Sequence, residues 1–136
     1  MNLVVLDTNI IVSSLWNKNG IPNKIVKMVL DKELVICHDF RIINEYFEVL
    51  NRKKFAFNPK DVQDLLEFFQ KHGVSVISER AKVSFMDESD RKFYEVARTF
   101  KASLVTGNLK HFPKEPFILS AAKFLKTVST SSPSQF

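Results

Sequence analysis

Glycine is scarce in this chain of 136 residues: Gly20, Gly73 and Gly107 are the only three. Neither a GxGxxG turn nor a P-loop can be assembled from them, so a backbone cradle for nucleotide phosphates is excluded and phosphate chemistry would fall to side chains. A single cysteine, Cys37, rules out an internal disulfide, and its setting in Leu34-Val35-Ile36-Cys37 reads as packing rather than as a nucleophile. Histidine is equally thin. His38, His72 and His111 stand at no zinc-ligand spacing, which disfavours zinc. No apolar run approaches the roughly 18–20 residues that span a bilayer. The first residues also lack the basic-then-apolar layout of a signal peptide, so a soluble, cytoplasmic protein with no membrane association is expected.

Apolar residues make up 45% of the chain and include 13 phenylalanines, enough for an aromatic-rich core in one domain. That domain is expected to cover residues 1–127. The tail 128–136, rich in serine and poor in apolar side chains, is expected to be disordered. The net charge of +5 is unevenly placed. Residues 1–52 carry six Lys/Arg against six Asp/Glu, and residues 53–136 carry fourteen against nine. A basic second half suits a polyanionic partner, and it suits ordinary solubility equally well.

Strand-like and helical patterns alternate along the chain. Leu3-Val4-Val5-Leu6 is a continuous apolar run of the kind buried on both faces in a parallel sheet. Helical periodicity follows over about 21–32 with Pro22 in the first turn, then from an Asp39 cap through Leu50, and from Lys60 to His72 with Gly73 as its stop. Further strands are expected at 34–37, 74–77, 103–106 and 117–119, with helices beginning at Asp87–Asp90 and running over 120–126. Residues 78–86 fit no pattern. The order predicts a three-layer α/β/α sandwich around a mostly parallel central sheet.

The first strand stops at Asp7, on the sheet edge where ligands bind in open α/β folds. Asp7 suits either a helix N-cap or a ligand, although Thr8 and Asn9 would cap as well. Glu45 shares a helical stripe with Ile42 and Val49, on the core side, where a carboxylate needs a metal or a basic partner. Asp90 stands one turn ahead of Phe93 on an inward stripe, with Asp87 a turn earlier. Asn108 ends a later strand just after Gly107. Carboxylates brought together without Lys or Arg must be protonated or neutralised by a cation, and all-oxygen ligation selects Mg²⁺ or Mn²⁺. Such a cluster could activate water against a phosphodiester.

Leu6-Asp7-Thr8-Asn9, the Glu45 helix, Asp87-Glu88-Ser89-Asp90 followed by Phe93 and Ala97, and Leu104-Val105-Thr106-Gly107-Asn108 together resemble a PIN-domain nuclease. The likeness is to the small prokaryotic kind that serves as the toxin of a toxin–antitoxin pair, and it runs to about Lys126. It implies divalent-metal-dependent hydrolysis of RNA, with Asp7, Glu45 and Asp90 as catalytic acids. Asp7, Glu45, Asp90, Asp87 and Asn108 would be the metal ligands, and Thr8, Asn9 and Thr106 would orient them. The resemblance also implies a cognate antitoxin. Trp16, Phe55 and Phe57 could serve a homodimer or partner surface, with core burial as their more usual fate.

Asn108 stands where the family carries a fourth acid, and an amide brings no charge and cannot act as a base. A catalytically weak or inactive RNA- or protein-binding module is therefore the alternative. An aspartyl-phosphate enzyme built on Asp7 is a third, disfavoured because no basic residue accompanies it on that strand end. For RNA contact the candidates are Lys53, Lys54, Lys110 and His111, with Lys114 and the rings of Phe55, Phe57 and Phe112 nearby.

Overall fold

Val4, Val5 and Leu6 have no solvent exposure at all. The strand they form, β1 (Asn2–Leu6), lies in the middle of a five-stranded sheet of order β3-β2-β1-β4-β5. The computed structural model describes residues 2–75 and 77–131, with side chains through residue 128. The other strands are β2 (Leu34–His38), β3 (Val74–Ser75), β4 (Ser103–Val105) and β5 (Ile118–Leu119). Every pairing among them is parallel. Burial of each Val or Leu in the central strand contributes roughly 1.5–3 kcal/mol, which explains why a strand without polar alternation takes this place. The register Leu6↔Val105 sets the ends of β1 and β4 side by side, and the Asp7 N–H extends the pairing by donating to the Val105 carbonyl at 2.9 Å.

Helices flank the sheet: α1 (Thr8–Trp16), α2 (Ile21–Leu30), α3 (Phe40–Leu50), α4 (Pro59–His72), α5 (Arg91–Phe100) and α6 (Ala121–Ser131). α5 lies across β1, β2 and β4, while α2 packs on β2 and on α6. The result is the expected α/β/α architecture. In α3 the Asp39 carboxylate caps the first turn by accepting from the Ile42 N–H at 3.0 Å. Ile42, Tyr46 and Leu50, spaced four apart, are fully buried. The Tyr46 hydroxyl donates to the Leu6 carbonyl at 2.5 Å. Glu45 and Asp7 adjoin these two residues in sequence, so one hydrogen bond ties together the two segments that carry the acids.

Residues 78–86 form no regular element, yet side chains hold them. Buried Glu95 on α5 accepts from the Ala81 N–H at 2.7 Å and from Arg41 at 2.8 Å, and Arg91 donates to the Ala81 carbonyl at 2.5 Å. The loop that leads into Asp87–Asp90 is thereby fastened to α3 and α5.

The elements differ from expectation at both ends of the chain. α1 starts at Thr8, where the sequence shows only a short apolar stretch from Ile10. α6 continues to Ser131, past residue 128 where disorder was expected to begin, because Val128 extends the stripe of Phe124 and packs against the core. Residues 132–136 of the expected tail, and Val76 of the expected third strand, lie outside the described residues. Among the described residues no helix is long and apolar enough to cross a membrane.

Gly73 ends α4, but with φ −87° it does so without a left-handed turn. What it provides is closeness: a Cβ there would stand 2.5 Å from both the Ile36 and Phe69 carbonyl oxygens. Gly73→Ala is expected to cost about 2–3 kcal/mol, because backbone rather than flexible side chain must move. Thermal unfolding followed by circular dichroism checks this through a fall in Tm of several degrees.

Candidate active site

The end of β1, the start of α1, the middle of α3, the start of α5 and the end of β4 meet at one place. Asp7 is buried there, 6% exposed, at the last position before α1. Its side chain makes no helix cap, so the ligand alternative gains over the capping one. Asp7 Oδ2 instead accepts from Thr106 Oγ1 at 2.7 Å and, weakly, from Asn9 Nδ2 at 3.5 Å. Thr106 Oγ1 in turn accepts from the Asn108 N–H at 3.0 Å, and Asn9 Oδ1 accepts from the Gly107 N–H at 3.2 Å. The turn after β4 thus grips both the acid and the residue two places after it.

Glu45 reaches the same place from α3. Thr8 Oγ1 donates to its Oε2, and Lys92 Nζ stands 2.6 Å from its Oε1. Lys92 is itself buried, its ammonium standing 4.9 Å from the centre of the Phe93 ring and also donating to the Ser89 carbonyl. Asp90, at the N-terminus of α5, has its Oδ2 buried without a hydrogen-bond partner, 3.5 Å from His111 Nδ1.

These acids feel one another. Burial pushes the Asp7 carboxyl up to about 6, the Thr106 hydrogen bond draws it partly back, and the charges of Asp90 and Glu45 raise it further. Asp90 is also held above the usual carboxylate range, by burial first and by Asp87 next, with His111 and Lys92 opposing. The site therefore holds two carboxylates that are costly to ionise together and one buried oxygen that, among the described residues, has no hydrogen-bond partner and only His111 at 3.5 Å beside it, which is the condition a cation relieves.

The residues singled out from sequence fall into four groups. Asp7, Glu45 and Asp90 come together with Thr8, Asn9 and Thr106. Asp87 stands at the rim, exposed, with Oδ1 accepting from the Ser89 N–H at 2.9 Å and hydroxyl at 2.7 Å, so it serves as a turn cap while still raising Asp90. The Asn108 side chain is exposed, and it lines an open cleft of about 730 Å³ together with Asn9, Thr106, Lys110 and His111. Lys53 and Lys54 belong to a separate place, the turn between α3 and α4, beside Phe55 and Phe57.

Three expectations are corrected. The acids do not meet without a basic partner: Lys92 takes Glu45, and among the described residues no three His, Cys, Asp or Glu side chains are arranged to hold a metal ion as they stand. Lys92 was legible in principle, since it lies four residues before Val96 on an inward stripe of α5. Phe112 is buried, which removes it as a ring for stacking. Trp16 is not in the core but 63% exposed.

The chemistry of the donors is compatible with a hard dication. Mg²⁺ is commonly held by one or two carboxylates with waters completing its octahedron, and Asp7 and Asp90 are carboxylates of that kind.

A PIN domain family model matches residues 3–110. The chain is also 33% identical over 108 residues to Uncharacterized protein MJ1680 of Methanocaldococcus jannaschii, a match covering 77% of this chain and 70% of that protein.

Proposed function

The chain belongs to the PIN domain family, whose members are generally nucleases using divalent metal ions, and from that premise we propose that it is a Mg²⁺- or Mn²⁺-dependent endoribonuclease. The observation that carries the proposal is the buried Oδ2 of Asp90, without a hydrogen-bond partner among the described residues, beside a carboxyl, Asp7, whose ionisation Asp90 itself opposes.

In this reading Asp7 and Asp90 hold the ion, with Glu45 joining when it leaves Lys92. A bound dication would supply charge neutralisation at the scissile phosphate and a more acidic attacking water. Thr106 and Asn9 keep Asp7 in its rotamer, and Thr8 does the same for Glu45. Lys110 and His111, at the cleft beside the acids, are placed to hold the phosphate of an RNA strand. Exposed Asn108 can orient a water through its amide but cannot take its proton. A role as a toxin with a cognate antitoxin, a homodimeric state and a cytoplasmic location belong to the same proposal and rest on the resemblance alone.

The test pairs cleavage with metal binding. Purified protein is expected to cut single-stranded RNA with Mn²⁺ and to enhance Mn²⁺ water-proton relaxation. Asp90→Asn is expected to lower both, cleavage by about 100-fold or more. Undiminished cleavage by this variant would refute the reading. A second reading, a binding module without chemistry, is favoured by Asn108 and by the Lys92 grip on Glu45. RNA binding in EDTA with no cleavage under any divalent ion would establish it.

A further inference from the structure

Trp16 closes α1 with its indole 63% exposed, yet the ring is not loose. It meets Phe55 edge-on at 5.3 Å and Phe57 edge-on at 6.3 Å between ring centres, and those two rings stack on each other at 5.5 Å and 9°. The three rings brace one another in a fixed orientation at the surface. The ammonium of exposed Lys54 stands 5.2 Å from the Phe55 ring centre, and exposed Lys53 precedes it in the chain while exposed Lys18 lies two residues after Trp16. Among the described residues none of these three lysines has a carboxylate partner, whereas neighbouring Arg52 is already paired with Glu48.

An exposed, pre-oriented indole bordered by unneutralised cations asks for a partner with flat apolar rings and regularly spaced negative charge. Unpaired nucleotides have both. A base stacks on an aromatic ring whatever its identity, while the backbone phosphates meet the lysines. A duplex keeps its bases stacked on one another and can use only the lysines. An apolar protein surface would cover the rings but leave the ammonium groups unanswered. We propose that Trp16, Phe55 and Phe57, with Lys53 and Lys54, form a stacking platform for the unpaired bases of a single-stranded nucleic acid.

Its place in the fold fits. α1 begins at Thr8, in the acidic site, and Trp16 lies eight residues on, about 12 Å along the helix axis. A strand seated on the platform can thus run on to Asp7 and Asp90. That last step rests on the nuclease reading, but the platform itself does not.

The chain supplies its own probe, because Trp16 is its only tryptophan. In EDTA, an oligouridylate of about 12 nucleotides is expected to quench the indole emission. Anisotropy of the same oligomer carrying a dye is expected to show about tenfold weaker binding to Trp16→Ala. The double variant Lys53→Ala/Lys54→Ala, two exposed positions that leave the rings intact, is expected to bind more weakly and with a shallower salt dependence. A duplex of equal length is expected to bind about tenfold less tightly. Unchanged affinity in both variants, or equal affinity for the duplex, overturns the proposal. So does a dimer that Trp16→Ala converts to monomer by light scattering while oligomer binding persists. Quenching in EDTA together with absent cleavage in Mn²⁺ sinks the nuclease reading and leaves the platform standing.

Discussion

Replacing Asp7 by asparagine is expected to abolish RNA cleavage and, in EDTA, to make the protein more stable. The two effects have one cause. Burial and the neighbouring charges of Asp90 and Glu45 raise the Asp7 carboxyl from 3.8 to about 6, so at neutral pH the folded protein carries an anion it stabilises poorly. A gap of about two pH units corresponds to roughly 2–3 kcal/mol. Asparagine has nearly the same shape, keeps an oxygen for the Thr106 hydroxyl, and brings no charge. Tm is expected to rise by about 5 °C or more. Cleavage is expected to fall on the order of 10³-fold, because the same charge is what would hold the dication.

The pH dependence separates this cause from others. Below about pH 4 Asp7 is protonated in both folded and unfolded chains and costs nothing. As pH rises from about 4 to 6 the unfolded chain releases the proton first, the folded chain binds more protons, and stability is lost. Above about 6 the loss is complete. The Tm advantage of Asp7→Asn is therefore expected to open between these two values and then stay level, as scanning calorimetry in EDTA can follow. An advantage that is flat from pH 4 to 8 would mean that packing, not charge, distinguishes the variants.

The acids were legible in the sequence because each sits at a boundary that local chemistry marks. Asp7 ends an apolar run, Asp90 opens a helix ahead of Phe93, and the helix of Glu45 announces itself through the Asp39 cap and the Ile42, Tyr46, Leu50 spacing. What could not be read is how long side chains cross between elements. Lys92 reaches Glu45 from 47 positions away in the chain, a pairing set by how α5 lies on α3. The rings of Phe55 and Phe57 look like core residues in a one-dimensional pattern, and both are half-buried, Phe57 against the core, while their contacts with Trp16 depend on where α1 ends. The loop over 78–86 has no periodicity because its order comes from Glu95, Arg41 and Arg91, which belong to other elements.

Lys92 is the residue whose replacement is expected to shift stability and metal affinity in opposite directions. Its side chain is 11% exposed and its ammonium stands 2.6 Å from Glu45 Oε1, so without metal it is the counter-charge that makes a third acid tolerable. Methionine matches the unbranched stem while removing the charge, and with it the ammonium's contact with the Phe93 ring. Glu45 would then be left with Thr8 alone, and breaking a largely buried pair from one side costs about 3 kcal/mol. In EDTA, Lys92→Met is expected to melt well below the parent chain. A dication at Asp7 and Asp90 meets the opposite situation. In the parent chain it must approach an ammonium and compete with it for Glu45, whereas in the variant it finds a third carboxylate unclaimed. Mn²⁺ is expected to bind the variant about tenfold more tightly or better, a change of at least roughly 1.4 kcal/mol. Saturating Mn²⁺ is then expected to narrow the difference in Tm, since a ligand stabilises the form it binds. If Lys92 were only a structural strut, titration would give the two chains equal Mn²⁺ affinity and the gap in Tm would persist at every metal concentration.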